Sequence, residues 1–116
     1  MSADRIYKIL PRLEWEAAVA AGSYAGAAVD LADGFIHFSS AQQVAETAAK
    51  HFRGQSDLVL VAVEADALGA ALKWEPSRGG ALFPHLYAPL DVVHASDVQA
   101  LPLDADGVPI IPEGLA

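Results

Sequence analysis

Gly34-Phe35-Ile36-His37-Phe38-Ser39-Ser40 is the stretch of sequence that says most about the fold, because a strand pattern meets a helix signal there. Phe35–Ser39 is predicted as a strand, and its alternation places His37 and Ser39 on the same face. Each of the two serines is followed three residues later by a glutamine, a pattern typical of a helix N-terminus. The stretch therefore predicts a strand that ends in a helix, with an imidazole and a hydroxyl at the junction.

Apolar patterns on both sides of this junction predict the remaining elements. Leu58–Val63 is almost continuously apolar, which is typical of a central strand covered on both faces. Ser23–Gly34 is predicted as a loop or two short turns, Pro76–Pro89 as a long loop, and Val108–Ala116 as an extended arm. The other predicted strands are Arg5–Leu10, Leu72–Glu75 and an irregular Val92–Leu103, and the predicted helices are Leu13–Ala21, one from Ser39 or Ser40 to near Gly54, and a short turn at Asp66–Ala71. This order predicts an α+β fold with two main helices.

The composition excludes several classes of function. The 116 residues suit a single domain over 1–116, and the net charge of −8 disfavours nucleic acids and anionic membrane surfaces. The seven cationic residues are scattered along the chain and form no basic run. There is no cysteine, which excludes disulfides and thiolate chemistry. The N-terminus resembles neither a signal peptide nor a membrane span, so a cytoplasmic location is expected.

The strand–helix junction in the Gly34–Ser40 stretch is the first candidate site. A helix start presents backbone N–H groups and a positive dipole end, which suit an anion or a ribose hydroxyl beside His37, Ser39 and Ser40. The alternative interpretation is that the serines only cap the helix and that His37 is a hydrogen-bonded histidine of the core. The spacing alone leaves both interpretations open.

Two further motifs could contribute to the same site. Glu75 at a strand end could act as a general base or bind a sugar hydroxyl, and Trp74 beside it could stack on a ring. The side chains of Phe83, His85 and Tyr87 share one face if their segment is extended, an arrangement suited to a flat ligand. The alternatives are a surface glutamate beside a core tryptophan, and aromatic rings that only close the edge of the core.

Two other site chemistries have little support in the sequence. No short-range histidine spacing indicates a metal site, so none is predicted. No Gly-x-Ser-x-Gly motif indicates a serine hydrolase, and no glycine-rich phosphate loop is present.

Taken together, the motifs resemble a known family. They are Ile6-Tyr7-Lys8-Ile9 followed by a Trp, the Gly34–Ser40 stretch with Gln42, the Trp74-Glu75 pair, and Phe83-Pro84-His85-Leu86-Tyr87. In this order and spacing they closely resemble the domain of unknown function 952 family of small bacterial and plant proteins. The resemblance covers about residues 5–103 and leaves 104–116 as a C-terminal extension.

That family is similar in fold to the ADP-ribosyltransferase superfamily, which implies a small mixed, split β-sheet with NAD in its cleft. The resemblance implies that Lys8 occupies the position of a residue that holds the NAD ribose, and that His37 and Ser39 occupy a second binding position. It implies Glu75 as the catalytic glutamate.

The function expected from the motifs and the resemblance is binding of a nucleotide-like small molecule, NAD or ADP-ribose. The alternatives are an NAD-dependent ADP-ribosyl or phosphoryl-transfer enzyme and a protein-interaction module. No cofactor is predicted other than NAD as a ligand or substrate, and no oligomeric state is predicted. The predicted catalytic residues are Glu75 and His37. The predicted ligand-binding residues are Lys8, His37, Ser39, Ser40, Gln42, Trp74, Phe83, His85 and Tyr87.

Overall fold

The computed structural model describes residues 5–115 of the chain. Residues 1–4 and 116 of the predicted domain lie outside this described part. The strands are β1 (Arg5–Pro11), β2 (Ser23–Tyr24), β3 (Ile36–His37), β4 (Ser39–Ser40), β5 (Leu58–Glu64), β6 (Leu72–Pro76), β7 (Leu82–Leu86), β8 (Leu90–Asp91) and β9 (Ala95–Leu101). The helices are α1 (Arg12–Ala21), α2 (Ala28–Asp33) and α3 (Val44–His51), with 3₁₀ turns at Ala65–Ala71, Arg78–Gly80 and Val92–His94. The predicted α+β class is confirmed.

The main sheet is organised around β5, as its apolar run predicts. The strand order is β4-β1-β5-β9, and β5 is buried from Leu58 to Val63 because side chains from both of its faces meet core clusters. On β1, Ile6 and Leu10 pack into one cluster, whereas Tyr7 and Ile9 pack into the other. The main sheet therefore lies between two apolar layers.

A second sheet, of order β3-β7-β6, and the pair β2-β8 complete the strand pairing of the described residues. Every strand pair among them is antiparallel. The resemblance implied a small mixed, split β-sheet; the strands of the described residues do form separate sheets, but all of their pairings are antiparallel rather than mixed. Strand alternation alone carries no information about strand direction, which explains the difference.

The predicted strand Phe35–Ser39 is divided between two sheets. β3 pairs with β7, whereas β4 pairs with β1 of the main sheet. Phe38 lies between them, with 3% of its surface exposed, and its N–H donates to the Pro84 carbonyl at 3.0 Å. Burial of this ring in the core bends the chain from one sheet to the next. His37 and Ser39 are thereby placed on the two sides of the gap between the sheets.

The start of α3 corrects the predicted serine cap. The helix begins at Val44, and the side chains of Ser39 and Ser40 make no cap hydrogen bond to it, because both residues belong to β4. The Gln43 side chain instead accepts a hydrogen bond from the Ser40 N–H at 3.0 Å. The other main helix, α1, ends at Gly22 as predicted, with a left-handed φ of 90°.

Two segments predicted as loops contain regular structure. The stretch 23–34 forms β2 and α2, and the stretch 76–89 contains β7. Pro84 made β7 resemble a loop in the sequence, because proline is uncommon within strands. In β7 it is tolerated because β3 pairs only with His85 and Leu86, and Pro84 lies next to that pairing. The C-terminal segment folds back onto the domain, where Ile111 and Leu115 pack against the second core cluster. Within residues 5–115, none of the helices is long and apolar enough to cross a membrane.

Candidate functional site

One face of the β3-β7-β6 sheet carries three of the polar residues predicted from the sequence, His37, Glu75 and His85. His37 of β3 lies opposite His85 of β7, and Glu75 of β6 lies opposite Phe83. The other face is apolar, because Ile36, Leu86 and Leu72 line up across the three strands and pack into the core. The alternation of the sequence thus places the imidazoles and the glutamate on a common face, away from the core.

This polar face borders a cavity of about 600 Å³ between the two larger sheets. Five of the predicted ligand-binding residues line it: Lys8, His37, Ser39, Phe83 and His85. The remainder of the lining comes mainly from β1, from the start of α2 and from α3, and includes Tyr7, Leu10, Val29, Val44, Thr47 and Phe52. The cavity is therefore an apolar space with a small set of polar groups on its wall.

Glu75 holds both His85 and Tyr87 through a single carboxylate oxygen. The Glu75 Oε1 atom lies 2.8 Å from His85 Nδ1 and 2.7 Å from the Tyr87 hydroxyl. The hydrogen bond from Tyr87, and then that from His85, lowers the pKa of Glu75, and the same bond raises the pKa of Tyr87. Because an ionised carboxylate only accepts hydrogen bonds, His85 carries a proton on Nδ1, and this N–H donates a hydrogen bond to Glu75.

The second ring nitrogen of His85, Nε2, has no hydrogen-bond partner among the described residues. His85 is 4% exposed, and its Nε2 atom is buried without a hydrogen bond to any described residue. The Phe35 ring stacks on the imidazole at a centroid distance of 4.1 Å and also contacts the rings of His37 and Tyr87. A buried polar atom without a partner costs about 1–3 kcal/mol. Such atoms are uncommon enough in folded proteins to call for an explanation.

Asp30 is a buried acid beside the site that sequence reasoning missed, although it does not itself line the cavity. It is 1% exposed, and its carboxylate accepts hydrogen bonds from Lys8 Nζ at 3.0 and 3.2 Å, from His37 Nδ1 at 2.6 Å and from the backbone N–H groups of Ala27 and His37. Burial alone would raise the pKa of Asp30, but the hydrogen bond from His37 and the charge of Lys8 outweigh it and hold the pKa at about 2. Its only sequence signal was an acid within an alanine-rich stretch.

Lys8 and His37 are both engaged by carboxylates. Lys8 is 8% exposed, and its burial lowers its pKa although the charge of Asp30 opposes that change. His37 Nε2 lies 2.9 Å from a carboxylate oxygen of Asp33, so both of its ring nitrogens face acids. Lys8 and His37, both at this wall of the cavity, therefore have acidic partners in the protein itself.

The other predicted residues lie away from the cavity lining. Ser40 pairs with Ile6, and Gln42 is exposed. Trp74 is 42% exposed and alternates with Glu75, so it points from the opposite face of β6. Tyr87 is 43% exposed and reaches the site through Glu75 and Phe35. Glu75 contacts His85 but is not itself one of the described residues that line the cavity.

The described residues contain no group of three or more His, Cys, Asp or Glu side chains that could hold a metal ion. The two imidazoles lie side by side, with ring centroids 5.5 Å apart, but their nitrogens bind different acids.

Solved structures similar to this chain come from Caulobacter crescentus. The X-ray structure of protein CC0527 is 64% identical in sequence, with a TM-score of 0.90, and the match covers 91% of this chain and 93% of that one. The solution NMR structure of CC0527 is 65% identical, with a TM-score of 0.83, and the match covers 90% of each chain. No curated protein matches the chain.

The family comparison agrees with the motifs described above. Residues 9–98 match the family described as protein of unknown function DUF952, a span that includes the end of β1, the junction at Phe38, β6 and β7. The matched span covers well over half of the chain, so this chain belongs to the DUF952 family.

Proposed function

We propose that the domain binds a nucleotide-like small molecule, of the class of NAD or ADP-ribose, in the cavity between the two larger sheets. The observation that carries the proposal is the convergence of Lys8, Ser39 and His85 on the wall of this cavity. Its volume of about 600 Å³ lies within the range of small-molecule sites, about 300–1,000 Å³. Such sites are mostly apolar with a few polar groups, as this cavity is.

The lining offers complementary surfaces for the parts of such a ligand. The Phe83 ring and the apolar residues of β1 and α3 suit a flat base. The first turn of α3, which contributes Val44 and Thr47 to the wall, adds the positive end of a helix dipole for a phosphate. The Ser39 hydroxyl and His85 suit the hydroxyls of a ribose.

An enzyme that transfers an ADP-ribosyl or phosphoryl group is the second candidate, favoured by the Glu75–His85 pair. A carboxylate that orients an imidazole through Nδ1 leaves Nε2 available to take a proton from a substrate. Incubation with NAD tests this candidate, because transfer or hydrolysis releases nicotinamide. Release that His85→Ala abolishes would establish the enzyme, and absence of release would leave a binding domain.

The binding proposal is tested by calorimetry and by amide chemical shifts of the whole chain, with NAD and ADP-ribose at millimolar concentration. We expect binding, with shifts concentrated at Ser39 and Thr47, and an affinity loss of at least about tenfold, 1.4 kcal/mol, in His37→Ala or His85→Ala. His94→Gln is the matched control, because His94 also has a buried unpartnered nitrogen but does not line the cavity. Absence of heat and shifts with any nucleotide would make a surface for a partner protein the preferred function.

A further inference from the structure

We propose that the part of the ligand that contacts His85 is a neutral sugar hydroxyl, which donates a hydrogen bond to Nε2, and that no phosphate binds there. The inference rests on the proposed function, in that it takes the cavity as the ligand site. It goes further by fixing the direction of the hydrogen bond at His85, and therefore the chemical class of the group that binds.

The first step is the tautomer of His85. Glu75 Oε1 accepts a hydrogen bond from Nδ1 at 2.8 Å and a second one from the Tyr87 hydroxyl at 2.7 Å. An imidazole whose single proton is held on Nδ1 has a lone pair at Nε2. Nε2 is therefore an acceptor, and it is buried without a partner among the described residues.

The second step concerns Ser39. The Ser39 Oγ atom lies 2.9 Å from Thr47 Oγ1, in a hydrogen bond that either hydroxyl can donate. Ser39 can therefore accept a hydrogen bond from a ligand hydroxyl or donate one to it. The direction of the contact with the ligand is thus set by His85 and not by Ser39.

The third step concerns the charges. Lys8 Nζ binds both carboxylate oxygens of Asp30, and the nitrogens of His37 face Asp30 and Asp33. A phosphate at this wall would compete with these carboxylates for the same donors. It would also meet an acceptor, His85 Nε2, to which a phosphodiester group has no proton to donate. A sugar hydroxyl supplies the missing proton without adding charge.

The experiment uses the full chain with ¹⁵N-labelled histidine side chains. The hydroxyl probes are adenosine and ADP-ribose, and the phosphate probe is pyrophosphate. We expect the Nε2 signal of His85 to move toward that of a hydrogen-bonded but unprotonated nitrogen with both hydroxyl probes and to stay unchanged with pyrophosphate. The signals of His94 are the internal control, because His94 does not line the cavity.

A substitution tests the same contact through affinity. His85→Phe keeps a ring to stack on Phe35 but removes the acceptor, so it should weaken adenosine binding at least about tenfold. His94→Gln should leave adenosine binding unchanged. If His85→Phe does not fold, the signal of His85 in the unmodified chain decides the question.

The outcomes separate the two proposals. Protonation of Nε2 by bound pyrophosphate, or nucleotide binding that shifts Ser39 and Thr47 and leaves Nε2 unchanged, would overturn the hydroxyl contact while the nucleotide proposal stands. Binding of D-ribose at Nε2 with no binding of any nucleotide would support the hydroxyl contact and overturn the nucleotide proposal. If none of these probes binds, both proposals are wrong.

Discussion

Asp30→Asn is the substitution that most directly tests how the site is built. The asparagine has nearly the same shape and can still accept the hydrogen bond from the Ala27 N–H, which Asp30 accepts at 2.8 Å. What it removes is the negative charge between Lys8 and His37, together with the second carboxylate oxygen, which accepts from the His37 backbone N–H at 3.1 Å. The substitution keeps the packing of Asp30 and tests its charge and this second acceptor together.

The expected loss follows from burial on both sides of the ion pair. The side chain of Asp30 is 1% exposed and that of Lys8 is 9% exposed, so removal of the acid leaves a buried ammonium group without its countercharge. Breaking a buried pair in this way costs about 3–5 kcal/mol. Because burial already lowers the pKa of Lys8, the lysine can give up its proton, and we expect a loss near the lower end, about 3 kcal/mol.

Urea denaturation followed by circular dichroism measures this loss as a change in the free energy of unfolding. Lys8→Met combined with Asp30→Asn is the matched variant, because it removes the stranded charge as well and replaces it with an apolar side chain of similar length. It should recover at least about half of the loss, since apolar replacement of a buried ion pair is often nearly neutral. A three-kilocalorie loss is a large share of the total stability of a domain, about 5–15 kcal/mol, so the double variant also serves if the single one unfolds.

Two results would refute this account of the site. One is an Asp30→Asn variant within about 1 kcal/mol of the unmodified chain, a change no larger than that of an ordinary surface substitution. The other is a double variant no more stable than Asp30→Asn, since the loss would then come from something other than the stranded charge of Lys8.

Three further predictions follow from the same contacts. The native pKa of Asp30 is about 2, below its ordinary value of 3.8. Its ionised form therefore contributes about 2 kcal/mol of stability above about pH 4, and this contribution is lost as the pH falls through about 2. Urea titrations of the unmodified chain should show this decline, and Asp30→Asn should lack it. Gly26→Ala should cost about 2 kcal/mol or more, because φ is 116° and the new Cβ would lie 2.7 Å from the Asp30 Cβ, whereas Gly34→Ala, with open space around it, should cost less by the same measurement. Tyr87→Phe should leave the fold intact, at a cost of no more than about 1 kcal/mol, and should raise the pKa of Glu75 in a carboxyl NMR titration, because the Tyr87 hydroxyl is the main cause of its lowering; a larger cost or an unchanged pKa would contradict the hydrogen bond.

Local patterns were sufficient for much of the fold. The run Leu58–Val63 identified the central strand, and Gly22 marked the end of α1, because burial on both faces and a left-handed helix end each require particular residue types. β7 was hidden because proline and glycine usually indicate loops, and the pairing that makes this segment a strand comes from residues about 10 to 50 positions away. Partners at that distance leave no periodic signal in the segment itself.

The gap between the sheets was not predictable from its own residues. Phe35–Ser39 alternates as a single strand would, and nothing in the alternation shows that β3 and β4 join different sheets. The bend depends on a hydrogen bond from the Phe38 N–H to Pro84 and on the burial of the Phe38 ring, both of which are tertiary. The family resemblance implied a cleft in a split sheet, but its place in this chain became visible only with the structure.

The two histidines have different acidic partners. This difference shows why the sequence indicates the residues of the candidate site more readily than the hydrogen bonds that they make. His37 and His85 look alike in the sequence, since each lies between apolar residues of a short strand, and the structure pairs them across β3 and β7. Acids from elsewhere in the chain make them different. Asp30 and Asp33 occupy both nitrogens of His37, whereas Glu75 occupies only Nδ1 of His85. The histidine suited to meet a ligand is therefore His85, and the group that selects it is a glutamate that does not line the cavity.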